Sequence, residues 1–469
     1  EKHSASISDA GNGWYRCSIT HSTESISTLK IEYAIYFSDN SYSADGSSVD
    51  VTDDGGFIYL WGAQLEQRDT VTSYTKTNGT PITKYQPKLM TAAAAHARFD
   101  HDPITGESKG FLIEESRTNL IAYSEDFDSN IDINFYFSTY NGYRAIAPDG
   151  TLTASEIIWD DSSTAGLAFG DRPAVSPGQS YTLSMYIKAG NLSKIYFYQN
   201  IRQSVESINS GSAGIKYDLI NQVVDEAVDP DGKFNLTYDV LYVGNGWHRL
   251  SVTTIMPSDA GYLGWGMYNY ASNVQAGNNT AYFWGAQLEA GSFATSYIKT
   301  TGASATRSAD NVSITGENFS SWYRQDEGSL YCESVTREGD EIVPFVTIDN
   351  GFQDNSEHRI MKVDPTATTF GDRIVCLSRV NGTLTSICPA SNAIVGGFKA
   401  AYGYKLDDFL GSVNDMGGVT DSEGTIPVSV DRLLIGTRSA FDTYANNTIK
   451  KIAYYPQRLT NEQLQQLTK

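Results

Sequence analysis

The 469-residue chain has little of what marks a nucleic-acid binder, a membrane protein or a disulfide scaffold. Basic residues are scarce: 34 Lys+Arg stand against 55 Asp+Glu, a formal net charge of −21. No basic stripe is therefore expected to hold nucleic acid or coat an anionic membrane. No apolar run approaches the roughly 18 residues that a membrane helix needs, so membrane insertion is not expected. Four cysteines, at 17, 332, 376 and 388, are too few for a disulfide framework in a chain of this length. Six histidines, at 3, 21, 96, 101, 248 and 358, form no pair at metal-ligand spacing. A Gly-x-Ser-x-Gly elbow, a phosphate loop and a Cys/His cluster are all missing. Charge is sparse as well, 19% against 40% hydrophobic residues, which excludes a disordered acidic tail. The opening EKHSASISDAG carries no initiator Met and no signal-peptide pattern, as expected of a cleaved or excised piece that folds in a reducing cytoplasm.

What the chain does have is tyrosine and glycine: 30 Tyr, 19 Phe, 7 Trp and 41 Gly. Aromatic and β-branched side chains suit pleated, half-buried faces, so an all-β fold is expected. The length suggests about three domains. Self-comparison sharpens this. NGWYRCS at 12–18 and NGWHRLS at 245–251 share five of seven residues. WGAQLEQRDTVTSYTKTNG at 61–79 and WGAQLEAGSFATSYIKTTG at 284–302 share 12 of 19. The offset drops from 233 to 223 between the two matches, so the first copy carries ten extra residues in the loop SYSADGSSVDVTDDGG. Loops absorb such insertions at small entropic cost. A domain has been duplicated.

The second copy occupies 116–302, with short alternating runs bounded by Gly, Asn, Asp and Pro, the pattern of a complete β-sandwich. The first copy, 1–79, starts just before its NGW motif and lacks counterparts of 116–244, so it reads as a partial sandwich. Residues 80–115 read as a connector in which TAAAAHARF makes a helical turn or two and HDPITGE is turn chemistry. A third sandwich is expected over 303–469, closing in one short helix with Thr460 as N-cap and Gln463 as its capping-box partner. Within it, Asn381-Gly382 reads as a hairpin turn. Counting outward sets Cys376 opposite Ile387 and Cys388 opposite Val375, so the two thiols are expected out of register and free.

Aromatic residues that face outward are candidates to stack on the apolar faces of sugars, with polar side chains meeting the hydroxyls. In KIYFYQN, Tyr196 and Tyr198 share one face and Ile195 and Phe197 the other. In LGWGMYNY, Trp265 and Met267 share a face opposite Tyr268 and Tyr270. Tyr196, Tyr198, Trp265, Tyr268 and Tyr270 are thus the candidate ligand-binding residues, with sandwich packing as the competing reading. The candidates for the paired carboxylates of glycoside cleavage are EGDEIV (Glu338, Asp340, Glu341) and KLDDF (Asp407, Asp408). Neither shows acidic residues alternating along a strand between aromatics, so no catalytic residue is assigned.

Three long phrases, ARFDHDPITGESKGFLIEESRTNLIAYSEDF, FWGAQLEAGSFATSYIKT and SADNVSITGENFSSWYRQDEGSLYCE, resemble the modular C-terminal regions of tailed-bacteriophage fibre and other virion adhesin proteins. The RTNL…WGAQLE unit resembles a carbohydrate-binding-module-like jelly roll, and the last segment is similar to a concanavalin A/laminin-G-like sandwich. The resemblance implies tandem jelly-roll/β-sandwich domains in a tail-fibre protein that binds host cell-surface glycan for attachment. It also implies a homotrimer joined to other virion proteins, located on the virion after assembly in the host bacterial cytoplasm. A structural Ca²⁺ between Asp126 and Glu289 would follow from the same family, its oxygen ligands including carboxylates; the acidic loop residues Asp50, Asp53 and Asp54 raise the same question. The competing classes are a structural or decorating virion module without ligand, and a polysaccharide depolymerase.

Overall fold

A computed structural model describes residues 3–21, 59–66, 71, 74–80, 87–93, 96–127, 134–136, 138–159, 166–169, 172–203, 209–270, 279–336, 342–351, 355–363, 373–389, 394, 396–438 and 443–469. Asp50, Asp53, Asp54, Glu338, Asp340 and Glu341 lie outside the described residues. The chain divides into two units, Glu1–Gln86 and Pro87–Lys469. Among the described residues no helix is long and apolar enough to cross a membrane.

The first unit contains the hairpin His3–Gly11/Trp14–His21. Its turn is Asn12-Gly13, both at positive φ (54° and 80°), which Asn and Gly adopt most readily. The duplicate turn, Asn245-Gly246, has φ 53° and 77° and joins Thr237–Gly244 to Trp247–Ile255. The tryptophan after each turn has a different fate. Trp247 is 1% exposed, whereas Trp14 is 44% exposed.

In the second unit, residues 134–290 form two six-stranded antiparallel sheets. One runs in the order Thr237–Gly244, Trp247–Ile255, Ser180–Ala189, Asn279–Ala290, Ala154–Trp159, Ser138–Ala145. The other runs Val223–Val228, Asn209–Asp218, Lys194–Arg202, Tyr262–Asn269, Gly166–Phe169, Asn134–Tyr136. Between them lies a core that includes Leu183, Met185, Ile195, Phe197, Ile215, Trp265, Met267 and Phe283. The all-β expectation and the tandem sandwiches are what the structure shows.

The last sandwich packs a six-stranded sheet on a seven-stranded one. The seven-stranded sheet holds a departure from the expected layout. Phe99–His101 and Ser108–Ile113, inside the expected connector, are its outermost two strands, paired through Ser108–Ile113 to Asn447–Tyr455. Ile113 is fully buried in the C-terminal core. Sequence proximity could not reveal a pairing more than 300 positions away. Of the segment TAAAAHARF, in which a helical turn is expected, residues 94 and 95 lie outside the described residues, and the His96 amide donates to Ala93 O (3.1 Å). Arg98 is drawn into an ionic cluster with Glu114 (2.6 Å) and Asp310. The turn at HDPITGE does form, with Asp102 Oδ1 accepting from the amides of Ile104 (2.9 Å) and Thr105 (2.8 Å).

The terminal helix, Asn461–Leu467, starts in a reciprocal capping box between Thr460 and Gln463 and buries Leu464. One further helical turn, Glu317–Ser320, was not expected; it buries Phe319. The Asn381-Gly382 hairpin corrects the cysteine register. Val380 faces Thr383 and Arg379 faces Leu384, but Ser378 then faces Ser386. Thr385 is the extra residue of a β-bulge, and the one-residue slip sets Cys376 directly opposite Cys388. All four cysteines are free.

Candidate functional site

The duplicated WGAQLE motif turns out to hold structure. Gln287 Oε1 accepts from Ile298 N (2.6 Å), and its Nε2 donates to Glu289 Oε2 (2.7 Å) and Thr295 O (3.3 Å). Glu289, 0% exposed, also accepts from Thr295 N (3.0 Å) and from the Thr295 hydroxyl. Trp284 packs on Tyr297 at 4.5 Å between ring centroids. The first copy repeats these contacts at the matching residues: Gln64 Oε1 accepts from Thr75 N (2.6 Å), Gln64 Nε2 donates to Glu66 (2.7 Å), and Trp61 meets Tyr74 at 4.6 Å. Both glycines after the tryptophans have positive φ, 73° at Gly62 and 66° at Gly285, and a Cβ there would crowd Tyr74 or Tyr297. The motif is therefore a self-contained staple that folds a strand end back onto the following segment.

The RTNL phrase completes the staple in the second copy. Asn119 is fully buried; its amide donates to Ala286 O (3.0 Å) and Ile298 O (2.9 Å), and its Oδ1 accepts from Leu288 N and Ile121 N (both 3.1 Å). Leu120 N donates to Leu288 O (2.8 Å). Asn119 and Leu120 thus tie the entrance of the sandwich to its last strand.

The same geometry bears on calcium. Both Glu289 oxygens face N–H and O–H donors of this chain, the opposite of the converging oxygens that a calcium ion requires. Among the described residues, no three His, Cys, Asp or Glu side chains gather as a cation site. Bonded in this way, Glu289 does not offer its oxygens to the ion.

The tyrosine-bearing sheet carries the other candidates. Strand alternation puts Ile195, Phe197, Trp265 and Met267 toward the core and Tyr196, Tyr198, Asn200 and Tyr268 on the opposite face, where Tyr196 is still only 4% exposed and the other three are half-buried. Trp265, 2% exposed, belongs to the core and does not join the tyrosines; its face is the one it shares with Met267. Lys194–Arg202 lies between Asn209–Asp218 and Tyr262–Asn269. That register places Tyr196 between Lys216 and Tyr268, Tyr198 between Gly214 and Gly266, and Asn200 between Ser212 and Gly264. Tyr198 thus has glycine on both sides across the sheet.

The tyrosines touch one another. Tyr196 and Tyr198 stack at 4.9 Å with an interplanar angle of 11°, and Tyr268 meets both edge-on at 4.9 Å and 5.9 Å. Together with Asn200, Ser212, Lys216 and Val228 they line an open cleft of about 330 Å³. Burial pushes the Tyr196 hydroxyl up to about 12 and raises those of Tyr198 and Tyr268, so all three are neutral donors and acceptors at physiological pH.

Tyr270 stands beside the cleft and does not line it. Its hydroxyl donates to Asp225 Oδ2 (2.7 Å), which also accepts from Lys194 Nζ (2.6 Å). The Lys194 hydrogen bond and then that of Tyr270 hold the Asp225 carboxyl below its usual range. Lys216, on the cleft wall, is paired with Glu226 at 2.5 Å. Both lysines near the cleft are therefore charge-neutralised. Asn200, Ser212, Lys216 and Val228 escaped the sequence reading. Asn200 follows Tyr198 by two and was within reach of it, whereas the other three needed the strand register.

No family profile and no curated protein matches the chain. Among solved structures, the CBM40 of a Ruminococcus gnavus IT-sialidase is similar at 15% identity and a TM-score of 0.26, over 31% of this chain and 84% of that one. The NanB sialidase of Streptococcus pneumoniae is similar at 14% identity and a TM-score of 0.26, over 31% of this chain and 25% of that one. Galectin-Ib of Xenopus laevis is similar at 9% identity and a TM-score of 0.22, over 31% of this chain and 100% of that one.

Proposed function

We propose that this chain is a bacteriophage virion protein that attaches to host cells by binding surface glycan at the cleft of Tyr196, Tyr198 and Tyr268. The observation that carries the reading is the outward tyrosine cluster itself. Tyr196 is itself buried beneath its neighbours, but Tyr198 and Tyr268 are half-buried on the face turned away from the core and offer a sugar ring an apolar surface with hydroxyl partners beside it. Asn200, Ser212 and the tyrosine hydroxyls supply donors and acceptors for sugar hydroxyls. The paired lysines favour a neutral glycan over an acidic one. In this reading the protein works as a homotrimer with other virion proteins, on the tail fibre or another surface appendage, after assembly in the host bacterial cytoplasm. Several weak sites on one particle then act together through avidity.

A glycan array probed with the full chain tests the reading. It predicts retention of a defined neutral glycan, lost in Tyr198→Ala and Tyr268→Ala but kept in Tyr238→Ala, which removes an exposed tyrosine of the other sheet. Unchanged binding in the first two variants removes the cleft from consideration.

A further inference from the structure

We propose that Cys376 and Cys388 form a modification site: a cross-strand disulfide made by thiol–disulfide exchange with a small-molecule disulfide. The bulge at Thr385 makes the two residues direct partners across neighbouring strands. Both thiols are free and buried in the C-terminal core. They also point at the same spot. A Cβ added to Gly411 of the facing sheet would lie 2.7 Å from Cys388 Cβ and 3.3 Å from Cys376 Cβ. Because Gly411 has no side chain, it sets no atom of its own against the two Cβ atoms. Directly opposed Cβ atoms lie about 4.5–5.5 Å apart, and a disulfide asks for about 3.5–4.5 Å, so closure requires roughly an ångström of approach. Cys332, the third buried thiol, faces Ala400 and Ile452 across its own sheet and has no cysteine opposite it.

Access comes from the sheet edge. Thr383–Pro389 is the outermost strand of the six-stranded sheet, and Leu384 near its start is 44% exposed. The bulge already interrupts its ladder, so it can open locally while the rest of the sandwich stays folded. Burial pushes the Cys388 thiol up to about 11 and raises that of Cys376 well above its ordinary value, so the closed strand is inert and opening sets the rate.

In the exchange, the Cys388 thiolate attacks one sulfur of the small disulfide and expels the other as a thiolate. Cys376 then attacks Cys388 Sγ and expels the second. Two protein thiols are oxidised and one small disulfide is reduced to two thiols, which carry away both protons. The product ties the edge strand to its neighbour and so resists the local opening that exposes the two sulfurs.

The test incubates the full chain with oxidised glutathione in mildly alkaline buffer, with and without sub-denaturing urea, and maps the alkylated peptides by mass spectrometry. The expected result is loss of two alkylatable thiols, one cross-linked peptide joining positions 376 and 388, a rate that rises with urea, and a higher unfolding temperature. Cys332→Ser should leave the cross-link intact, and Cys376→Ser should trap a glutathione adduct on Cys388. Refolding from urea in the same redox buffer removes the access barrier. If both thiols stay alkylatable after refolding, or Cys332 is the partner found, the proposal is overturned.

Discussion

Replacing Gln287 by Ala should damage the second sandwich far more than Gln64→Ala damages the first unit, although both side chains accept from a backbone amide eleven residues on and donate to a glutamate two residues on. Gln287 is fully buried. Its removal strands the Ile298 amide, at about 1–3 kcal/mol for a buried donor, and takes a charge-assisted bond from Glu289, at about 1.5–3 kcal/mol. The expected loss is about 3–5 kcal/mol. For a domain of this size that lowers the unfolding temperature by roughly 10 °C. Around Gln64, Trp61 is 73% and Leu65 69% exposed, so water can replace the lost amide and the cost should stay near 1 kcal/mol or less. Differential scanning calorimetry of both variants, with denaturant titration followed by tryptophan emission, measures the pair. Equal effects, or a loss below about 1 kcal/mol for Gln287→Ala, would refute the claim that burial turns this staple into a structural requirement.

Three further outcomes are expected. His358 is fully buried, bonded through Nδ1 to Ser378 Oγ (2.7 Å), and burial lowers its pKa to about 3. The unfolded chain takes up this proton near pH 6.5 and the folded chain does not, so stability falls as pH drops below about 6.5, by about 2 kcal/mol at pH 5, and His358→Gln should flatten that slope in urea titrations. Gly110 has φ +108°, and a Cβ there would come within 2.3 Å of Ile449 O; Gly110→Ala should lower the C-terminal sandwich's unfolding temperature, by more than about 2 kcal/mol in free energy, and no change would contradict the pairing of Ser108–Ile113 with that sheet. Burial would raise the Glu114 carboxyl, but Arg307, Ser296 and Arg98 outweigh it and hold the pKa low. Glu114→Gln should therefore cost about 3 kcal/mol at neutral pH, and the difference from the parent chain should shrink on acidification below about pH 4.5, as thermal melts across pH will show.

Features set by neighbouring residues were legible in the sequence. The Asn-Gly turns need positive φ, the Thr460 box is a four-residue device, and alternation separated Tyr196 and Tyr198 from Ile195 and Phe197. What failed depended on partners distant in sequence or on a single slipped residue. The bulge at Thr385 reversed the cysteine register with no composition signal to announce it. Alternation grouped Trp265 with Met267 correctly, yet only the packed sandwich shows that this face points inward. Glu289 had the residue type of a calcium ligand, and its hydrogen-bond donors could be seen only after folding.

The most direct test of the central claim is a calorimetric titration of the full chain with the glycan that an array selects, comparing Tyr198→Ala with Tyr238→Ala. A ring lost from the cleft should weaken binding at least about tenfold, about 1.4 kcal/mol, while Tyr238→Ala matches the parent chain. Equal affinity in all three proteins, with both variants folded, would place glycan recognition elsewhere and contradict the account.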